Sequence, residues 1–270
     1  MPDFTERLQI RPGAKAALSR IDPADTNGFK SKQEANGRLA KNIERLYELQ
    51  YRLAAENRRS LLIILQAMDA GGKDGTIRHV MTGLNPQGCR VTSFKVPTGE
   101  ETRHDYLWRI HRAAPAFGEI GIFNRSQYED VLVVRVHDLV PKAVWSQRYD
   151  QINEFERMLH DNGTTILKFF LHISKDEQKK RLEARISDPF KNWKIAPADL
   201  AERKHWDAYQ EAYEDAIRKC STKWAPWFVI PANFKWFRNL AVSEIIADTL
   251  EAMKPKPPKA STDVSKLQFE

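Results

Sequence analysis

Leu61–Val80 reads LLIILQAMDAGGKDGTIRHV, and the fold is decided there. An apolar run, Leu61 to Leu65, stops at a loop of small residues, Ala70, Gly71 and Gly72, followed by Lys73. Asp74, Gly75 and Thr76 come next, and Ile77 and Val80 begin a helical spacing. Strand, glycine loop, lysine and helix is the order needed to hold a phosphate chain. Small residues let backbone N–H groups point at phosphate oxygens, and the helix N-terminus adds partial positive charge. Lys73 brings a full charge, and the Thr76 hydroxyl can meet the phosphate or its metal. The strict phosphate-loop spacing is broken at Ala67, where a glycine is usual, and at Asp74, where a hydroxyl is usual. Asp69 and Asp74 flank the loop. Carboxylates beside a phosphate are costly unless Mg²⁺ lies between them, which a phosphoryl-transfer site requires.

Outward from this stretch, the 270 residues are enough for one large α/β domain. Lys and Arg total 43 against 36 Asp and Glu, a net charge of +7 that suits a polyanionic partner. Cys89 and Cys220 lie far apart without metal-ligand spacing, so a reducing cytoplasm is expected rather than a disulfide framework. No apolar run approaches the roughly 18 residues of a membrane span, and the N-terminus has no apolar signal core.

Residues 1–35 are expected to form an irregular arm strapped over the domain. Leu39, Ile43, Leu46, Leu49 and Leu53 mark a long amphipathic helix from Ala35 to Asn57. A helix is expected over Asp74–Leu84, a strand over Cys89–Val96, and a helix from Pro97 to about Arg112. Ile120–Phe123 reads as a strand, and Val131–Val136 as either strand or helix. Helix Gln147–His160, strand Thr164–Ile173 and helix Lys175–Ile186 follow. Helix Ala198–Cys220, strand Trp227–Ile230 and helix Phe237–Met253 complete the pattern, and 254–270 is a proline- and lysine-rich flexible tail. Alternating strands and helices imply a three-layer α/β fold, a parallel sheet with helices on both faces and ligands at the carboxyl strand ends. Gln66–Lys73, Asn124–Arg125 and His172–Lys175 would meet in one crevice. The expected organisation is one domain, 36–253, with a lid at about 178–205.

Arg125, directly after a buried strand, is placed to neutralise a transferring phosphoryl group. Asn124 and Ser126 read equally well as site residues or as a helix cap. Glu129 and Asp130 are positioned for a nucleotide or a second metal, though isolated carboxylates usually lie at the surface. Lys179, Lys180, Arg181, Arg185, Lys191 and Lys194 face only Glu183 and Asp188 across Lys179–Lys194. Arg181 and Arg185 share a helix face, leading into a loop anchored by Pro189 and Trp193. Cations on such a loop can close over phosphates and exclude water. The seven histidines show no ligand spacing, and Trp206, Tyr209 and Tyr213 read as packing.

Together AMDAGGKDGTIRHVM, FNRSQYEDVLVVRVH and KKRLEARISDPFKNWK resemble the second polyphosphate kinase family, most of all its class III. They look like its Walker A, Walker B and lid motifs, and the resemblance spans roughly Leu39–Met253. It implies a P-loop kinase fold, Mg²⁺ dependence, and phosphorylation of AMP and ADP from polyphosphate, giving ADP and ATP. By that resemblance Lys73 grips the transferring phosphate within the loop Ala70–Thr76, and Asp69 and Asp74 hold Mg²⁺. Arg125 and Arg185 stabilise charge during transfer, and Arg181, Lys191 and Lys194 guide the polyphosphate chain. Asn124 stands where other classes have Asp and, with Glu129 and Asp130, faces the nucleotide. A homo-oligomer, dimer or tetramer, is expected, with no nucleic-acid or membrane partner. An ATP-donor kinase on the same fold is the nearest alternative. A nucleic-acid-binding module would need aromatic–basic motifs and a larger charge excess.

Overall fold

In the computed structural model, residues 3–15, 17–195 and 197–262 are described; the side chains of Lys194, Ala198 and Asp199 lie outside the described set. Strands β1 (Gln9–Ile10), β2 (Ser60–Gln66), β3 (Cys89–Ser93), β4 (Ile120–Asn124), β5 (Thr164–His172) and β6 (Trp227–Pro231) form one sheet, ordered β1-β6-β5-β2-β4-β3. All pairings are parallel except β1 with β6. β2 lies between β4 and β5, and every one of its residues is buried. A continuous apolar run is what a strand covered on both faces requires. Leu65 pairs with Asn124 and Gln66 with Phe170, so the chain leaves β2 and β4 at the same edge.

The helices are α1 (Phe4–Leu8), α2 (Lys32–Glu56), α3 (Lys73–Val80), α4 (Trp108–Ala113), α5 (Val133–Val136), α6 (Lys142–Trp145), α7 (Arg148–Asp161), α8 (Lys175–Ile186), α9 (Pro197–Glu202), α10 (Trp206–Cys220) and α11 (Lys235–Met253). α11 packs against α1, α2 and α3, while α7 packs on β5 and α10. Ser31 caps α2 by accepting from the Glu34 amide at 3.2 Å. Asn57 ends it in the left-handed region, φ 48°. Arg45 joins α2 to α11 through Asp248 at 2.7 Å and Glu251 at 2.5 Å.

The structure departs from the sequence pattern in four places, and it decides the one segment that read as either strand or helix. The arm is ordered: Asp3 caps α1, Phe4 is fully buried against Phe237 at 5.6 Å, and β1 adds an antiparallel edge. α3 stops at Val80 rather than Leu84, because Gly83 passes so close to α2 that a Cβ would sit 2.3 Å from Ile43. The helix expected from Pro97 is a short 3₁₀ turn, Glu101–Arg103, and then α4. Asp105 accepts from the Leu107 amide at 2.9 Å, a turn that interrupts the helix. Val131–Val136 resolves as helix: α5 follows a 3₁₀ turn over Gln127–Val131. Ala198–Cys220 is broken by a second 3₁₀ turn at Arg203–His205. Residues 254–262 hold neither helix nor strand, and the rest of the expected tail lies outside the described residues.

Beneath the carboxyl edge sits a fully buried ion pair. Lys168 Nζ donates to Glu156 Oε2 at 2.5 Å, to the Tyr128 hydroxyl at 2.8 Å and to the Cys220 carbonyl at 2.6 Å. Glu156 Oε1 accepts from Gln127 at 3.0 Å and from Tyr128 at 2.9 Å. Both charged groups and the Tyr128 hydroxyl find partners, as a buried pair demands, while Gln127 Oε1 has none among the described residues. The network fixes Gln127 and Tyr128, the residues just beyond Arg125.

Candidate active site

Where β2 ends, the chain turns through two left-handed residues, Ala70 at φ 59° and Gly72 at φ 106°. Gly72 is the N-cap of α3 and supplies no side-chain acceptor, so the first-turn amides remain open to an external anion. Lys73 folds back and donates from Nζ to the Ala67 carbonyl at 3.0 Å. Burial and then the Arg125 charge lower its pKa, while Asp69, Glu129 and Asp74 pull it up. Five charges therefore share one field. The Thr76 hydroxyl is buried and donates to the Gly72 carbonyl at 3.1 Å, which braces the first turn of the helix.

Arg125 follows β4 in the left-handed region, φ 65°, its amide donating to the Leu65 carbonyl at 3.1 Å. Its guanidinium bonds Asp69 at 3.2 Å and lies 3.7 Å from Glu129. Burial works against that charge, but Glu129 and Asp69 outweigh it and raise the pKa. Asn124 donates its side-chain amide to Asp74 at 2.7 Å. Ser126 acts as a cap, accepting from the Tyr128 amide at 3.3 Å and from Gln66 at 3.2 Å. Asp130 pairs with Arg148 at 3.0 Å. Its carboxyl is nevertheless pushed up to about 6, because burial outweighs Arg148 and Arg109.

α8 crosses this edge. Arg181 engages all five of its donors: Glu177 at 2.7 Å, the Ala70 and Gly71 carbonyls at 3.1 and 3.0 Å, and the Ala232 and Asn233 carbonyls at 2.5 and 3.1 Å. No donor is left over, and through the Ala70 and Gly71 carbonyls Arg181 braces the loop. Arg185, one turn on, is half-buried and makes no hydrogen bond or ion pair among the described residues. Lys191 pairs with Asp188, and the Lys194 side chain lies outside the described set. At the third expected strand end, His172 is turned toward the arm: it is buried and its Nε2 bonds the Ile21 carbonyl there at 3.1 Å.

Residues 29–258 match the family model for polyphosphate kinase 2 (PPK2). The chain belongs to the polyphosphate kinase 2 family. It is 55% identical over 266 residues to an AMP/ADP-polyphosphate phosphotransferase of Meiothermus ruber, covering 98% of this chain and 100% of that one. It is 46% identical to an ADP-polyphosphate phosphotransferase of Rhodopseudomonas palustris, covering 95% and 93%. The solved polyphosphate kinase 2 of Arthrobacter aurescens TC1 superposes with a TM-score of 0.94 at 47% identity, over 98% of this chain and 94% of that one. The fold is accordingly a P-loop kinase-like sheet, mostly parallel, with helices on both faces.

Two residues of this polyphosphate kinase 2 site escaped the sequence reading. Gln178 donates to the Asp69 carbonyl at 3.0 Å and so fixes the loop's entry. Arg238 lies against Gly72 from α11. The sequence carried a signal for Arg238: it is the one charged residue in the stretch Trp236–Val242. Among the described residues no group of three or more His, Cys, Asp and Glu side chains could hold a metal, and no helix is long and apolar enough to cross a membrane.

Proposed function

We propose that this protein transfers the terminal phosphoryl group of inorganic polyphosphate to AMP, giving ADP, and to ADP, giving ATP. The observation that carries the reading is the level placement of two charged segments at adjacent strand ends. The loop Ala70–Thr76 with Lys73 leaves β2, and Arg125 with Glu129 leaves β4. The relatives' names support the substrates. The Meiothermus ruber relative names both acceptors and the Rhodopseudomonas palustris one ADP alone; the chain is more similar to the first.

Lys73 and the open amides of α3 hold the phosphoryl group in transit, and Arg125 and Arg185 neutralise charge on it. Lys191 lines the path of the donor chain, in a lid at about 178–205 that closes over the domain 36–253; the role expected of Lys194 falls on a side chain outside the described set. Asn124, Glu129 and Asp130 face the nucleotide. The attacking atom is a phosphate oxygen of AMP or ADP, already anionic, so no side chain need remove a proton. The P–O bond to the terminal phosphoryl breaks, and the shortened chain leaves as the anion. Such transfer depends on positioning and charge rather than on a protein nucleophile. Asp69 and Asp74 would hold Mg²⁺. Two carboxylates completed by phosphate oxygens and water suit that ion, which when bound neutralises and orients the phosphates. The protein works in the cytoplasm as a homo-oligomer of two or four chains.

The test is chromatography of nucleotides after mixing pure protein, Mg²⁺, polyphosphate and AMP, with an ADP-only reaction alongside. ADP and then ATP from AMP is the expected result. Product from ADP alone would remove AMP as an acceptor. No product in either mixture, with ATP consumed as a donor, would overturn the reading.

A further inference from the structure

α11 is buried on nearly every side, and its first turns carry Arg238, only 2% exposed. Nε and Nη2 both donate to the adjacent Asn239 Oδ1, at 3.1 and 2.8 Å. Nη1 has no hydrogen-bond partner among the described residues. It lies against the phosphate loop: a Cβ on Gly72 would sit 1.9 Å from Nη1, and one on Gly75 would sit 3.2 Å from Nη2. Gly72 caps α3, so this cation stands at the positive end of a helix.

A buried arginine ordinarily has a carboxylate beside it. Arg238 has none in an ion pair among the described residues. Burial and the neighbouring Arg181, itself a cation, push its pKa down. Glu177, the carboxylate that acts on Lys235, already accepts from Arg181 at 2.7 Å. Lys235, one turn before Arg238, is likewise lowered by burial, Arg181 and Arg238. Positive charge is thus gathered beneath the loop in excess of what the fold can pair.

We infer that Arg238 is a positioning residue for the phosphate substrate: through Gly72 it charges the underside of the loop, and the arriving polyanion supplies the counter-charge that the fold leaves out. This rests on the polyphosphate reading above. A structural brace and an unpaired charge have opposite signatures. Removing a brace lowers the melting temperature. Removing an unpaired charge raises it and weakens anion binding.

The experiment compares wild type, Arg238→Met and Arg238→Lys. Melting is measured without ligand, and binding of tripolyphosphate by calorimetry across a salt series. Arg238→Met should melt higher than wild type, bind tripolyphosphate about tenfold more weakly and show a shallower salt dependence. Its KM for polyphosphate should rise while kcat stays close to that of wild type. Arg238→Lys, which keeps the charge, should retain most of the affinity. An Arg238→Met protein that fails to fold, or melts lower and binds tripolyphosphate like wild type, overturns the inference. The melting comparison needs no substrate. Failure of wild type itself to bind tripolyphosphate would instead count against the functional reading.

Discussion

The side-chain amide of Asn124 donates to Asp74 at 2.7 Å, tying the end of β4 to the first turn of α3. The pair is neutral against anionic, so it holds without a cation. In Asn124→Asp two carboxylates would stand within hydrogen-bond distance and repel unless a divalent ion lies between them. Asp74 is exposed, so the penalty is modest, about 1 kcal/mol or roughly 3 °C for a chain of this size. Thermal melting of Asn124→Asp should fall in EDTA and recover in Mg²⁺. Equal melting in both would remove the ion from this pair.

Lys73 gives the fold one hydrogen bond, to the Ala67 carbonyl, and places its charge among Arg125, Asp69, Glu129 and Asp74. Lys73→Ala should therefore leave melting nearly unchanged. It should lower kcat/KM by about 10²- to 10³-fold, the loss typical of one preorganised donor. Steady-state kinetics with polyphosphate and ADP measures this, and activity within a fewfold of wild type would remove Lys73 from the transfer step.

Lys168 and Glu156 are both fully buried and joined at 2.5 Å. Lys168→Met alone strands a carboxylate and should cost about 3–5 kcal/mol in urea unfolding. Lys168→Met with Glu156→Leu removes both charges and should recover most of that stability. Activity should not recover with it, because Gln127 and Tyr128 lose the acceptor that fixes the segment after Arg125. Full activity in the stable double variant would show that the network serves the core alone.

Asp130 has its carboxyl pushed up to about 6 by burial, against a value of about 3.9 in an unfolded chain. The folded state therefore binds this proton more tightly than the unfolded state. Its contribution to stability is complete below about pH 4 and is lost as pH rises through about 6, a swing of about 3 kcal/mol. Asp130→Asn should flatten the pH dependence of unfolding over that interval. An unchanged slope would place the titration elsewhere.

The apolar run Leu61–Leu65 and the small-residue loop after it made the central strand and the phosphate site legible, because burial on both faces and close backbone approach each leave a direct residue signature. The antiparallel edge was not legible: two residues, Gln9 and Ile10, carry no periodicity, and only pairing with Phe228 and Trp227 makes them a strand. Among the candidate residues, chemistry was readable and partners were not. Arg181 and Arg185 look alike in sequence, one helical turn apart. The first is saturated by carbonyls of two distant loops, and the second has no bond among the described residues. Arg238 went unread because its meaning lies in Gly72, more than 160 positions away in the chain.

The backbone of Arg125 has a consequence for anyone improving this protein. At φ 65° a residue with a Cβ stores about 1 kcal/mol that glycine would release. Screening variants for heat tolerance would therefore favour Arg125→Gly, a substitution that deletes the guanidinium facing Asp69 and Glu129. Selection on robustness and selection on turnover pull this position in opposite directions. A directed-evolution campaign that monitors only the first would discard the second at this residue.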